Sequence, residues 1–166
     1  MKASLESGVL HRKTTGAENV IDFRVAIRTT VLLVDDDKRH LDLRAHTLKM
    51  YGFSVINAIS PQEAISIMNE SSSSKIDVAV LDYHMPGMNG CILADYLKTR
   101  YPELKIVLYS GALEIPEQQM SGIDVFVPET EGIAALLSKI ADFGSIDAAN
   151  SSRLAAEDSY SIEAVN

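Results

Sequence analysis

Acidic residues follow two apolar runs of this 166-residue chain, at the point where each run ends. Asp82 comes directly after Val78–Leu81, and Asp35 and Asp36 come directly after Val31–Val34. A run that is apolar on both alternating faces favours a strand buried in a parallel sheet, whose carboxyl edge is where open α/β proteins bind ligands. Carboxylates gathered in one crevice repel each other, and a hard divalent cation with oxygen ligands relieves that repulsion.

Strands and helices that could position these acids alternate along the chain from Val31 onward. The hydrophobic periodicity predicts strands over 31–34, 53–58, 76–81, 106–109 and 125–127. Helices are predicted over 38–50, from a Ser60 cap and Pro61 to 70, over 90–100, briefly over 116–121, and through Ile133, Leu136, Leu137 and Ile140. Alternation of this kind predicts a doubly wound five-stranded parallel sheet with helices on both faces.

Composition divides the chain into three segments. Residues 1–28 lack a sustained period and are expected to form a flexible arm, in which Val20–Ile27 is a candidate extra strand. Residues 29–143 are predicted to form the domain, and residues 144–166 are predicted to be a disordered acidic tail. The length leaves no room for a second domain, so the expectation is a stand-alone module.

The charge and cysteine content exclude several classes of protein. Met1–Thr30 carries a formal charge of +2, Val31–Ile140 carries −6 and Ala141–Asn166 carries −4, which sum to the net −8. An acidic core argues against direct nucleic-acid binding. Cys91 is the single cysteine, the N-terminus lacks the apolar run of a signal peptide, and no segment is apolar enough to insert into a membrane. These features predict a cytoplasmic protein.

Four short motifs, in this order, resemble the receiver domain of two-component response regulators across roughly Thr30–Ile140. They are Val34-Asp35-Asp36, Leu81-Asp82 with Met85-Pro86-Gly87 and Gly90, Tyr109-Ser110-Gly111, and Gly122-Ile123-Asp124-Val125-Phe126. The resemblance implies the flavodoxin-like strand order 2-1-3-4-5.

The resemblance also implies a role for each acid. Asp82 corresponds to the phosphoacceptor, a carboxylate nucleophile that takes a phosphoryl group from a histidine kinase or a histidine phosphotransfer protein. Asp35 and Asp36, with Asp82 and the backbone carbonyl of His84, correspond to the Mg²⁺ ligands. The acids at 35 and 36 are also placed where they could simply cap the following helix, and Asp37 is expected to be a cap or solvated.

Two further residues correspond to the switch of the family. Ser110 corresponds to the hydroxyl that binds the new phosphoryl group, and Phe126 to the aromatic residue that follows it inward. Ser110 as an ordinary turn serine and Phe126 as plain core are the structural alternatives. His40, His46 and His11 show no ligand spacing and are expected at the surface.

The pattern of the family breaks after the fifth predicted strand, where receivers usually carry a lysine. Aligned without a gap from Gly122, the lysine position falls on Glu129; the alternative register places it on Val127. A glutamate would oppose the phosphoryl charge, so Glu129→Lys is expected to strengthen phosphorylation-dependent switching. An alternative source of positive charge is Lys38, on the loop after the first strand.

The leading hypothesis is a stand-alone receiver that accepts a phosphoryl group on Asp82 with Mg²⁺ and signals by binding a downstream protein partner. At most it would catalyse its own phosphorylation and dephosphorylation. The alternative is a pseudo-receiver, a phosphorylation-independent protein-interaction module, which the missing lysine favours. A haloacid-type phosphatase is disfavoured because Asp82-Tyr83-His84 lacks the second acid of that family.

Overall fold

Five parallel strands form the central sheet of the computed structural model, which describes residues 29–70, 75–112 and 114–144. The strands are β1 (Thr30–Val34), β2 (Ser54–Ala58), β3 (Val78–Leu81), β4 (Lys105–Ser110) and β5 (Val125–Pro128). Their order across the sheet is β2-β1-β3-β4-β5, and every neighbouring pair is parallel. The predicted fold class and strand order are confirmed.

The helices agree closely with the periodicity, except between β4 and β5. They are α1 (Lys38–Met50), α2 (Pro61–Glu70), α3 (Gly90–Arg100) and α4 (residues 132–144). The short helix predicted over 116–121 is a single 3₁₀ turn at Glu117–Gln119, closed by the Met120 N–H donating to the Glu117 carbonyl (3.0 Å). A second 3₁₀ turn, Glu129–Glu131, joins β5 to α4.

Short polar signals start and end these helices. Asp37 caps α1, because its side chain accepts from the N–H groups of Arg39 and His40. Ser60 Oγ accepts from the Glu63 N–H (3.2 Å), whereas the Glu63 carboxylate accepts from Ile59, one residue before the expected partner. The two bonds form a capping box in which the glutamate binds the N–H of the residue before Ser60 and not the N–H of Ser60 itself.

Apolar side chains on the two faces of the sheet bury against different helices. One cluster contains Val31 and Leu33 of β1 with Leu41 and Leu48 of α1 and buried residues of α4. The other contains Leu32 and Val34 with buried residues of α2 and α3. Helices therefore cover both faces, as the alternating elements predict.

Acids at the amino edge of the sheet make structural hydrogen bonds. Asp77 Oδ2 accepts from the Thr30 N–H (2.8 Å), and Asp124 Oδ2 accepts from the Ile106 N–H (2.7 Å). Asp124 also pairs with Lys98 (2.7 Å). These carboxylates hold the starts of β1 and β4 in place. The acids that follow β1 and β3 lie at the opposite, carboxyl edge of the sheet.

The predicted arm 1–28 and residues 145–166 of the predicted tail lie outside the described residues. The prediction that the tail begins at residue 144 is wrong, because residue 144 is the buried last residue of α4. Among the helices of the described ranges, none has the length and apolar character needed to cross a membrane.

Candidate functional site

The register of the sheet brings the two predicted groups of acids side by side. Val34 pairs with Leu81, so β1 and β3 end at the same level. The Asp82 N–H then donates to the Val34 carbonyl (3.0 Å), and the Asp35 N–H donates to the Ala58 carbonyl of β2 (3.2 Å). The backbone therefore fixes Asp35 and Asp82 where their strands leave the sheet.

Three carboxylates converge at this edge. One oxygen from each of Asp35, Asp36 and Asp82 lies within 4.8 Å of the others. Asp35 is 2% exposed, Asp36 is exposed and Asp82 is half-buried. An all-oxygen donor set of graded exposure is the chemistry that a hard divalent cation such as Mg²⁺ requires, so the residues fit the predicted metal. Asp37 lies outside this cluster and caps α1, as expected.

Both oxygens of Asp35 already accept hydrogen bonds. Oδ1 accepts from the Asp37 N–H (2.8 Å), and Oδ2 accepts from the Arg44 guanidinium. Burial raises the pKa of the Asp35 carboxyl, a rise opposed by the Asp37 N–H and the Arg44 charge and reinforced by the charge of Asp82. The buried acid is therefore partly neutralised by a cation of the protein itself.

Arg44 is the residue of this site that the sequence analysis missed. Its guanidinium binds Asp35 through Nη1 and Glu129 through Nη2, and lies over the Tyr109 ring at 4.9 Å. Its side chain is 10% exposed. The sequence carried a signal, because Arg44 stands on the buried face of α1 with Leu41 and Leu48, where a charge needs a partner.

Glu129 reaches the site from the end of β5. It pairs with Arg44, and a Cβ on Gly111 would lie 3.3 Å from its Oε2, so its carboxylate borders the loop that follows Ser110. The alternative expectation, that Lys38 supplies positive charge to this site, is wrong. Its ammonium pairs with the exposed Asp42 one turn along α1 (3.0 Å).

Contacts of the loop after β3 hold Asp82 in place. The His84 N–H donates to Asp82 Oδ2 (3.0 Å), whereas the predicted metal-binding role of the His84 carbonyl stays a prediction. Gly90, the first residue of α3, packs directly against the Asp82 carbonyl oxygen. The Tyr83 hydroxyl donates to Gln119 Oε1 (3.2 Å), which ties this loop to the 3₁₀ turn between β4 and β5.

Ser110 and Phe126 lie where the resemblance places them, Ser110 on β4, which neighbours β3, and Phe126 on β5, the strand beyond β4. Ser110 ends β4, is 1% exposed, and accepts from the Ala112 N–H through Oγ (3.4 Å). Phe126 is partly buried beside Leu108 of β4. Their switch roles stay predictions. His40 and His46 are exposed as expected, and His11 lies outside the described residues.

Residues 31–140 match the response regulator receiver domain family. Over 104 residues, 62% of this chain, the sequence is 30% identical to the putative two-component response regulator ARR21 of Arabidopsis thaliana. Over 112 residues, 66% of this chain, it is 30% identical to the transcriptional regulatory protein CpxR of Escherichia coli. The matched segments span 17% of ARR21 and 47% of CpxR, so this chain corresponds to one part of each relative.

Solved receiver structures have the same fold. The response regulator protein TrrA from Thermotoga maritima, in complex with Mg²⁺-BeF, superposes with a TM-score of 0.62 at 22% identity, covering 69% of this chain and 98% of TrrA. TrrA also matches in a crystal structure with the histidine kinase ThkA, with a TM-score of 0.61. At this identity the likeness shows the fold, with five parallel strands in the same order.

Proposed function

This chain belongs to the response regulator receiver domain family, and we propose that it accepts a phosphoryl group on Asp82 in a Mg²⁺-dependent reaction. The observation that carries the proposal is the acid cluster, in which the register of β1 and β3 sets Asp35, Asp36 and Asp82 within 4.8 Å. The Mg²⁺-BeF complex of TrrA supports the same chemistry in a protein of this fold.

Each residue of the site has a distinct part in the proposed transfer. One oxygen of Asp82 forms the new O–P bond while the P–N bond of a phosphohistidine, or the P–O bond of acetyl phosphate, breaks and its electron pair leaves with the donor. The His84 N–H, which donates to Asp82 Oδ2, orients the attacking carboxylate. Asp35 and Asp36 would hold the Mg²⁺, which neutralises phosphoryl charge when bound.

Ser110 and Phe126 are proposed to change position when Asp82 is phosphorylated. Ser110 is the last residue of β4, which neighbours β3. Gly111 follows Ser110 and leaves room for a phosphoryl group, since glycine has no side chain. Movement of Ser110 toward the phosphoryl group would open space for Phe126, which is half-buried beside β4. A downstream protein would then read the altered surface.

The partners follow from this chemistry. A histidine kinase or a histidine phosphotransfer protein would donate the phosphoryl group, a proposal supported by the complex of TrrA with the histidine kinase ThkA. The protein would act on no separate substrate and would catalyse at most its own phosphorylation and dephosphorylation. A cytoplasmic location is part of the same proposal and fits the single, buried, unpaired Cys91.

A specific contact supports a second candidate function, the pseudo-receiver. Arg44 binds Asp35 and Glu129 together, so the cluster is partly neutralised without a metal. A module stabilised in this way could bind protein partners in one conformation, independently of phosphorylation.

Intact-protein mass after incubation with acetyl phosphate and Mg²⁺ separates the two functions. The proposed function predicts the gain of one phosphoryl group, lost in Asp82→Ala and retained in the control Asp42→Ala, which changes an exposed aspartate of α1. The same test is run with phosphoramidate, whose P–N bond resembles that of a phosphohistidine. No gain with either donor contradicts the proposed function and supports the pseudo-receiver.

A further inference from the structure

Arg44 occupies the buried corner of the acid cluster, and its contacts suggest more than a structural ion pair. It contacts Asp35 Oδ2, while the other oxygen of that carboxylate accepts from the Asp37 N–H. A metal ion that uses Asp35 must therefore share Oδ1 with a backbone N–H or share Oδ2 with the guanidinium, and in both cases the Arg44 charge lies beside the same carboxylate. A cation of the protein and a divalent cation compete for the same buried charge.

Glu129 provides a second anchor for the same guanidinium. Arg44 Nη2 binds Glu129 Oε1, so the fork of the guanidinium spans from the end of β1 to the end of β5. A planar fork can satisfy two carboxylates at once, which a lysine ammonium does less well. If Arg44 leaves Asp35, Glu129 keeps it paired, so displacement does not strand a buried charge.

From these contacts we propose that Arg44 is an internal competitor of Mg²⁺ at Asp35, and that Glu129 sets the strength of the competition by drawing Arg44 away. Arg44 is thus a positioning residue that lowers Mg²⁺ affinity, and Mg²⁺ binding is coupled to the contact between α1 and the end of β5. The inference rests on the proposed function, because it takes the acid cluster as the metal site.

The two members of the pair act in opposite directions on Mg²⁺ affinity. Arg44→Met removes the competing charge and keeps an apolar stem, so the affinity should rise at least about tenfold. Glu129→Gln leaves Arg44 wholly to Asp35 and removes a nearby negative charge, so the affinity should fall. In Arg44→Met the further change Glu129→Gln should have a smaller effect than in the parent, because no guanidinium is left to redistribute.

The test measures the Mg²⁺ dissociation constant of the full chain by titration calorimetry, with inorganic Mg²⁺ as the probe. Matched controls are Arg39→Met, an exposed arginine of the same helix, and Glu131→Gln, an exposed glutamate beside Glu129. The controls should change the affinity less than threefold, since both charges are solvated. A second readout is urea unfolding, in which saturating Mg²⁺ should raise the midpoint of Arg44→Met more than that of the parent.

The outcomes separate this inference from the proposed function. If Arg44→Met binds Mg²⁺ no more tightly than the parent does, the inference is overturned. Phosphorylation of the parent would still support the proposed function. Mg²⁺ binding by Arg44→Met alone supports the competition and contradicts Mg²⁺ dependence in the parent. Absence of binding in both overturns both.

A second variant covers the case in which Arg44→Met does not fold. Arg44→Gln removes the competing charge but keeps an amide that can donate to Asp35 or Glu129. Tighter Mg²⁺ binding than the parent supports the inference, and equal or weaker binding overturns it.

Discussion

Arg44 changes how Glu129 is interpreted, the residue that the resemblance to receivers places at the usual lysine position. From the sequence alone, Glu129 adds a fourth negative charge to an anionic crevice. In the structure its charge is matched by Arg44, which binds it and Asp35 together. The site therefore contains a positive charge, contributed by a helix on one face of the sheet and held by the acid at position 129.

A lysine introduced at position 129 would meet this arginine. Glu129→Lys alone sets two cations side by side in a half-buried site, so it should lower the free energy of unfolding by about 1–3 kcal/mol. Arg44→Met combined with Glu129→Lys leaves one cation for Asp35 and should recover most of that loss. Urea denaturation of the single and double variants measures both effects.

Glu131→Lys is the matched control, because it makes the same charge change at an exposed position two residues away. Equal destabilisation by Glu129→Lys and Glu131→Lys would contradict the pairing. The expectation that Glu129→Lys strengthens switching stays a prediction, and the structure indicates that it should be tested with Arg44→Met in the same chain.

At the scale of elements, the approach of α3 to the end of β3 determines where Asp82 sits. Gly90 begins α3, and a Cβ there would run into the Asp82 carbonyl oxygen and lie 2.9 Å from Leu108 Cδ1. The carbonyl belongs to the backbone and cannot swing away. Glycine is required at this position by close packing, since its φ is not in the left-handed region.

Gly90→Ala should therefore lower the free energy of unfolding by about 2–3 kcal/mol and slow phosphorylation of Asp82. Gly87→Ala is the control. Gly87 has φ +81° and no atom within 4 Å of an added Cβ, so alanine there should cost about 1 kcal/mol through backbone strain alone. Chemical denaturation and the phosphorylation rate are measured for both. A smaller effect for Gly90→Ala than for Gly87→Ala would contradict the packing account.

The elements were predictable because each depends on a local pattern. Apolar runs predicted the strands, and the cap residues Asp37 and Asn89 stand at the starts of helices found at the predicted positions. The acids of the site followed from the same reasoning, since parallel strands end at one edge. The turn at Glu117–Gln119 was predicted as a longer helix, because a polar segment with few buried residues has little periodicity to read.

Arg44 and its partners could not be paired from the sequence. Arg44 and Glu129 are 85 positions apart, and their contact depends on how α1 packs against β1 and β2 and on where the end of β5 then lies. Periodicity identifies the buried face of α1 but does not say which strand end that face reaches. A buried arginine signals that an acid is needed, and only the tertiary structure shows which acids meet it.

At the scale of the molecule, acids at opposite edges of the sheet have different consequences for stability. Asp77 and Asp124 hold the starts of β1 and β4 in place by accepting backbone hydrogen bonds, whereas the acids at the carboxyl edge repel one another. A cation that binds only the folded state should therefore stabilise the whole domain. At a free Mg²⁺ concentration about 100 times the dissociation constant, the gain is about 2.7 kcal/mol.

Thermal or urea unfolding with and without Mg²⁺ measures this gain. Asp36→Ala removes an exposed member of the cluster and should abolish most of it, whereas Asp42→Ala should retain it. Equal stabilisation of both variants by Mg²⁺ would place the ion elsewhere.

The pH dependence of Mg²⁺ binding follows from Asp35. Burial raises the pKa of this carboxyl in the folded chain, and Mg²⁺ needs its ionised form. Affinity should thus be constant at high pH and fall as the pH drops through the raised pKa, earlier on acidification than an ordinary aspartate would allow. Calorimetry over a pH series checks this, and a fall that begins only at the pKa of an ordinary aspartate contradicts it.

Without metal, the raised pKa of Asp35 makes the free energy of unfolding decrease as the pH rises. A carboxyl whose pKa is higher in the folded than in the unfolded chain favours folding while protonated. Its contribution is complete below the unfolded pKa and is lost as the pH rises through the folded pKa. In Mg²⁺-free buffer, Asp35→Asn should weaken this loss of stability, and an unchanged pH profile of unfolding would contradict it.

Borohydride reduction identifies the residue that carries the phosphoryl group, which is proposed to be Asp82. An aspartyl phosphate is reduced to homoserine, which marks the modified residue permanently. After treatment with acetyl phosphate and Mg²⁺, reduction and peptide mass mapping, we expect homoserine at position 82 and unmodified aspartate at 35 and 36. Homoserine at either of those positions, or aspartate retained at 82 in phosphorylated protein, would contradict that proposal.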